Sequence, residues 1–600
     1  MPLDIEDYAL IADGHTAALV GNDGSIDWLC VPRFDSASVF GALLGDESHG
    51  RWLLAPDGEV VETSRHYLED TFILVTRWIT STGEAETVDL MPHGDRRAEV
   101  IRRVRGIRGT VDFMQELVFR FDYSSAMPWV RQVVDGDGRH GLVAVAGPDA
   151  VIVRGPRLHA TDHKHRSLFT VGEGETVDIT LTWYPSHRPH PPAIDVDTRM
   201  AETREWWVDW ASSCVASPIY HDAVHRSLLV LRALTHEDTG GIVAAATTSL
   251  PEESGGSRNW DYRYVWLRDA SLTLHVLLDH GFEDEAEGWR GWLLRAIAGD
   301  PADVQIMYGI AGERRLTEFE LVSLPGYRGA SPVRVGNGAF TQFQGDVFGE
   351  VMIALARARE LGIDETEFSW PLQLALMRFV EENWQRADNG IWEIRGPLRH
   401  FTHSRVMIWA AFDCAIRAVT DHGLPGRLEL WTVLREQVRQ EIERQGYDHE
   451  RGTYTQYYGS AGVDASLLQL AQVGYLAADD PRMLGTVTAI EEELLRDGLV
   501  MRYRTSTGVD GLEGSENPFL ACSFWLVEQY AASGRLDDAT TLMDRLLGFA
   551  NDVGLLSEEY DVAGSRQAGN TPQALTHLTL VRAADAIVAA TAGSSIRPHG

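Results

Sequence analysis

Hydrophobic and polar positions along this chain follow two rhythms, and the change falls near residue 215. In the first third, short β-prone runs alternate with turn residues. Residues 17–20 and 25–30 flank Gly21-Asn22-Asp23-Gly24, the signal of a hairpin. Further runs at 72–80, 110–123, 141–145, 150–153 and 176–184 are separated by Gly, Asp and Pro, which predicts an antiparallel β-sandwich over residues 1–190. Three prolines within 186–192 mark its end. Residues 191–215 read as a linker, in which Trp206, Trp207 and Trp210 have the spacing of a helix packed onto a domain.

From residue 216 the period becomes helical, with Val224, Leu228 and Leu231 on one face. Gly281, Gly362, Gly423 and Gly534 stand where helices would end, at the position that favours a left-handed residue. Amphipathic segments alternate with more apolar ones, such as residues 262–280, 401–420 and 518–532. Helix pairs recurring at intervals of roughly 50–80 residues predict a closed toroid of paired helices, an (α/α)6 barrel, over residues 216–595. An open solenoid is the alternative that periodicity leaves standing. The expected architecture is therefore multidomain α and β, a sandwich followed by a barrel, as a chain of 600 residues, too long for one core, requires.

Charge and composition narrow the function. Acidic residues number 88 against 53 basic ones, a net charge of −35, and such a field repels phosphate backbones and anionic membrane surfaces. Nucleic acid and membrane are thus excluded as expected partners, whereas a small neutral solute is indifferent to the field. Lys164 is the only lysine, so no phosphate-binding loop of the G-K-[ST] type can form. Cys30, Cys214, Cys414 and Cys522 are scattered without paired spacing, which fits a reduced compartment. The first ten residues lack a basic leader, and no run of about 18 apolar residues occurs, so a cytoplasmic protein is expected. A homo-oligomer is compatible with the sequence.

Five segments are polar, aromatic and glycine-rich beyond what core packing needs. Residues 258–269 (RNWDYRYVWLRD) carry Trp260, Trp266, Arg268 and Asp269. Aromatic faces cover the apolar faces of a sugar while Arg and Asp bond its hydroxyls. A buried ion-pair network is the competing reading of the same residues. Tyr308 precedes Gly309, and Arg334 and Asn337 lie in a second glycine-flanked stretch, where backbone approaches a ligand closely. Residues 390–396 (GIWEIRG) place Glu393 between Trp392 and Ile394, a setting that raises a carboxyl pKa as a general acid needs, although Arg395 would oppose this if paired with it. Glu513 and Glu516 in residues 511–519, and Glu558 and Glu559 in residues 556–561, are rival candidates for a base. Glycoside hydrolysis needs two carboxyls in different environments, one to protonate the leaving oxygen and one to activate water or attack carbon.

RNWDYRYVWLRD, GIWEIRG and ACSFW (residues 521–525), together with residues 13–30, resemble family 15 glycoside hydrolases, in the bacterial branch that holds glucoamylase-like enzymes and actinobacterial trehalases. The resemblance runs over nearly the whole length. It implies an exo-acting inverting hydrolase of α-glucosidic bonds that releases β-glucose from a disaccharide or short oligosaccharide, trehalose first, with maltose- or isomaltose-type substrates close behind. It implies Glu393 as general acid and Glu558 as general base, about 6.5–9.5 Å apart with a water between them. By the same resemblance Arg268 and Asp269 bind the non-reducing glucose, with Trp266 nearby. Trp260, Tyr308, Arg334, Asn337, Trp392 and Arg395 are the further substrate-binding candidates. Glu516 belongs to the second sugar site, where this chain has SENPF (residues 515–519) in place of the Glu-Glu-Gly-x-Phe of related trehalases. No cofactor is expected; stimulation by phosphate or magnesium is implied by resemblance alone, and no metal motif stands in the sequence. An inverting disaccharide phosphorylase and a non-catalytic carbohydrate-binding protein are the other readings.

Overall fold

The structure, a computed structural model, describes residues 1–94, 96–134, 138, 140–363 and 365–593, without the side chains of residues 270 and 271. The expected end of the barrel at residue 595 lies outside the described residues.

The N-terminal part is built from two antiparallel sheets that share one long strand, Glu99–Val118. Its first half pairs with Gly83–Leu90 and Thr176–Pro185, and its second half with Arg51–Pro56 and Lys164–Gly172. The expected hairpin is present as Ala17–Gly21 against Ser25–Cys30. The sequence pattern shows only the second half of the shared strand, because the first half carries Arg102, Arg103, Arg105 and Arg108. Arg102 nevertheless points inward, paired with Asp89 at 2.8 Å and donating to the carbonyls of Trp52 and Gly24. A buried charge satisfied on every side breaks the apolar alternation that marks a strand.

After the linker helix Val196–Ser212, helices close into a double ring. The inner ring runs Leu267–Asp279, Asp346–Glu360, Thr402–Thr420, the short pair Ala465–Leu468 and Gln469–Gln472, Leu520–Ala532, and Ala574–Thr591, which packs back onto Leu267–Asp279. The outer ring is His221–Ala233, Glu283–Ala296, Ser369–Asn383, Leu428–Gln445, Pro481–Leu494 and Leu536–Leu547. Inner helices are buried around most of their circumference, as in Thr402–Thr420, while outer ones bury one stripe, as in Leu428–Gln445. The four glycines expected at helix ends all have positive φ, between 68° and 91°. Closure of the ring disposes of the open solenoid.

Ala574–Thr591 corrects the expectation about membrane-length segments, since by length and composition alone it could cross one. Arg582 and Asp585 interrupt its apolar run, and in the fold it is mostly buried as an inner helix. The linker tryptophans join the two parts: Trp206 stacks on His93 at 3.6 Å, Trp207 meets Phe72 at 5.3 Å, and Trp210 stacks on Phe282 at 4.1 Å. Trp28 of the sandwich donates its indole N–H to the carbonyl of Ala246 at 3.0 Å.

Candidate active site

Loops that enter the inner helices converge on one cavity. Its wall includes Trp260, Trp266, Arg268, Asp269, Asn337, Trp392, Glu393 and Arg395 from the sequence-derived set. Trp266 closes a two-residue strand and caps the helix Leu267–Asp279, whose first turn carries Arg268 and Asp269. Arg268 bonds Asp269 through Nε at 2.6 Å and the carbonyl of Ile391 through Nη1 at 3.0 Å. The guanidinium is thereby fixed as a donor fork at the cavity wall.

Glu393 sits at φ 58°, a conformation that costs a non-glycine residue about 1–3 kcal/mol. It is held there by bonds from its own N–H to Gly390 and from Gln342 to its carbonyl. The carboxyl accepts the Trp266 indole N–H at 2.6 Å. Burial raises its pKa above the ordinary value, opposed chiefly by the Arg268 charge and the Trp266 bond. Arg395 is not paired with it: that guanidinium pairs with Glu318 at 2.8 Å and lies over the Trp260 ring at 4.3 Å, and its charge opposes the rise less than that of Arg268.

Glu558 is 0% exposed and does not line the cavity itself. The cavity-lining Tyr262 donates its hydroxyl to Glu558 Oε1 at 2.6 Å, and Asn570 N–H reaches Oε2 at 3.3 Å. Gly569 is required here, because a Cβ on it would stand 2.6 Å from Glu558 Oε2. Burial and the neighbouring Glu252 carboxylate raise the Glu558 pKa against Arg502 and the Tyr262 bond. Burial and Glu252 likewise raise Glu559 well above the ordinary carboxyl range.

Around Arg502, itself on the wall with Glu252, gather Glu252, Glu516 and Glu559, at 2.9, 2.7 and 3.4 Å from its Nη2. Arg258 adds a second cation, 2.6 Å from Asp510 and 3.3 Å from Glu516. Carboxylate oxygens of Glu252, Glu558 and Glu559 lie within 4.8 Å of one another and form the one set among the described residues that could hold a metal ion. The sequence spacing shows no such motif; the fold assembles it, and Arg502 already supplies a positive charge to it.

Besides Glu558, three sequence-derived candidates stand outside the cavity wall. Tyr308 is fully buried because pairing of Met307–Tyr308 with Val265–Trp266 turns it inward, where its edge meets Trp292. Arg334 is spent on the carbonyls of Ser257 and Asn259 and on the Trp260 ring. Glu516 is buried and pairs with Arg258 and Arg502. Sequence reasoning missed Glu252, Arg502 and Tyr503 on the wall. Glu252 follows Pro251 in a run of Glu, Ser and Gly that has the composition of a solvated loop. One further anchor matters: Arg263, adjacent to Tyr262, pairs with Asp261 at 2.7 Å and reaches into the sandwich to Ser36 O and the Tyr123 hydroxyl, both at 2.9 Å.

Residues 218–585 match the family described as Glycosyl hydrolases family 15, and residues 1–163 match a trehalase-like N-terminal domain. The chain is 37% identical to a trehalase of Mycobacterium tuberculosis over 96% of its own length and 89% of that protein. It is 33% identical to a trehalase of Thermoplasma volcanium, covering 97% and 93% of the two chains. A bacterial glucoamylase solved with acarbose superposes with a TM-score of 0.71 at 14% identity, covering 97% of this chain and 94% of that one, a likeness of fold.

Proposed function

This chain belongs to Glycosyl hydrolases family 15, and from that premise we propose that it hydrolyses α,α-trehalose with inversion, Glu393 serving as general acid and Glu558 as general base. The observation that carries the reading is the pair of bonds at one cavity wall, Trp266 to Glu393 and Tyr262 to Glu558. Burial favours the protonated form of Glu393, which then gives its proton to the glycosidic oxygen. Tyr262 marks where the attacking water is held, and Glu558 takes that water's proton as oxygen bonds to the anomeric carbon from the opposite face. Glu558 must be ionised to do this, yet Glu252, Glu558 and Glu559 are too close for all to carry charge. Glu559, raised by burial and by Glu252, keeps the shared proton in this reading. Arg268 and Asp269 grip the glucose whose bond is broken, and Trp260 and Trp392 flank the second sugar. Relatives named trehalase support the choice of substrate. No metal or cofactor enters the mechanism, because Arg502 supplies the countercharge.

The test is ¹H NMR of the first products. Inversion of trehalose gives α- and β-glucose in equal amounts, whereas retention gives α-glucose alone. Maltose and isomaltose run alongside establish linkage preference, and EDTA should leave kcat unchanged. Initial formation of α-glucose alone would refute inversion, and glucose 1-phosphate appearing with added phosphate would replace hydrolysis by phosphorolysis.

A further inference from the structure

Away from the cavity, where the linker helix ends, a second cluster of reactive groups is assembled from five parts of the fold. Cys214 follows the helix Val196–Ser212 and is partly exposed. Its sulfur lies 3.7 Å from the carbonyl of Val215, and His225, on the outer helix His221–Ala233, and His280, just past the inner helix Leu267–Asp279, are the neighbours that favour its ionised form. Each imidazole has its own carboxylate. His225 Nε2 is 2.7 Å from Asp70 Oδ1 of the sandwich, and His280 Nε2 is 3.1 Å from Asp585 Oδ2 of the last inner helix. His280 Nδ1 lies 3.0 Å from the carbonyl of Val215. Both ring nitrogens of His280 therefore face acceptors, and the ring satisfies both only as the doubly protonated imidazolium. His221 stacks on His225 at 5.8 Å.

We propose that Cys214 is a modification site, a thiolate held between His225 and His280 that reacts with small uncharged electrophiles, hydrogen peroxide among them. Thiolate rather than thiol is the nucleophile, and flanking imidazolium groups stabilise it. With peroxide, the sulfur supplies an electron pair to one oxygen, the O–O bond breaks, and a sulfenic acid forms. The hydroxide released takes a proton from an imidazolium and leaves as water. Burial works to raise the Cys214 thiol, and the two histidines overcome it, bringing it down to about 7. Burial likewise opposes protonation of His280, and Asp585 and Cys214 outweigh it, raising that ring to about 10. Cys30, Cys414 and Cys522 are buried, and burial drives their thiols upward, so they serve as controls within the same molecule.

The experiment is alkylation of the folded full-length chain by iodoacetamide from pH 5 to 10, with each cysteine followed by peptide mass spectrometry. The Cys214 rate should rise with a midpoint near pH 7. Greater ionisation offset by lower intrinsic nucleophilicity gives a rate about three-fold above that of free cysteine at pH 7, and about six-fold above it at pH 6. His280→Gln should move the midpoint upward, with circular dichroism checking that the variant folds; if it does not, the wild-type midpoint alone decides. Brief treatment with peroxide followed by dimedone should label Cys214 ahead of the three buried cysteines. A midpoint at or above about 8.5, the value of a free thiol, overturns the proposal. So does dimedone labelling of Cys214 no greater than that of the controls.

Discussion

Tyr262 and Trp266 meet edge to face, their ring centroids 5.4 Å apart and their planes at 69°, and each donates one hydrogen bond to a different glutamate. One aromatic pair on one short segment thus positions the two carboxyls, Glu558 and Glu393, that come from loops 165 residues apart in the chain. The packing of the two rings links their relative placement, alongside the loop contacts that fix each residue.

Removing either proton-transfer group should stop turnover without preventing binding. Glu393→Gln and Glu558→Gln are each expected to lower kcat on trehalose by about 10³-fold or more, with KM changed only a few-fold. Steady-state kinetics measures both. A Glu558→Gln enzyme that keeps its kcat would place the base elsewhere.

Tyr262→Phe keeps the ring contact and deletes the hydroxyl that favours ionised Glu558. The base pKa then rises, so the acidic limb of the kcat/KM profile should move to higher pH. Trp266→Phe deletes a bond that favours ionised Glu393, so the alkaline limb should also move up. The two limbs shift independently if the roles are assigned correctly, and pH–rate profiles of the two variants separate them.

Glu252→Gln removes the carboxylate that raises both Glu558 and Glu559. The base pKa falls, and the acidic limb moves to lower pH, opposite to Tyr262→Phe. The Gln carbonyl can still accept the Trp260 indole N–H, 3.2 Å from Glu252 in the wild type, so KM should change little.

Asp346 and Glu350, one turn apart on an inner helix, are raised by burial to about 7 and about 8. Both bind protons more tightly folded than unfolded. Their contribution is fully present below about pH 4 and is lost as pH rises through about 7 to 8. The Tm should therefore fall between pH 5 and 8, and Asp346→Asn combined with Glu350→Gln should flatten that slope in calorimetric scans.

Arg502 holds Glu252, Glu516 and Glu559 together. Arg502→Met leaves buried carboxylates without their cation, and a loss of about 3–5 kcal/mol is expected in chemical denaturation.

The sandwich, the double helical ring and most of the cavity wall are legible in the sequence because each has a period or a composition of its own. Glu393 stands out since aromatic and aliphatic neighbours surround it. What stays hidden depends on contacts remote in sequence. Glu252 has the local composition of a solvated loop, and only the fold brings it to Glu558. Tyr308 carries the same aromatic signal as Trp260, yet its strand pairing turns it into the core. The first half of Glu99–Val118 hides its strand because Arg102 is neutralised by a partner thirteen residues away.

The Arg263 anchor gives the β-part a stake in turnover. Tyr262 stands next to a residue moored to Ser36 and Tyr123, so the sandwich acts as the rigid jig against which the base is aligned. A barrel expressed without it would lose the abutment for that residue. Substitutions at Tyr123, a residue outside the cavity wall, should then register as altered catalysis before they register as unfolding.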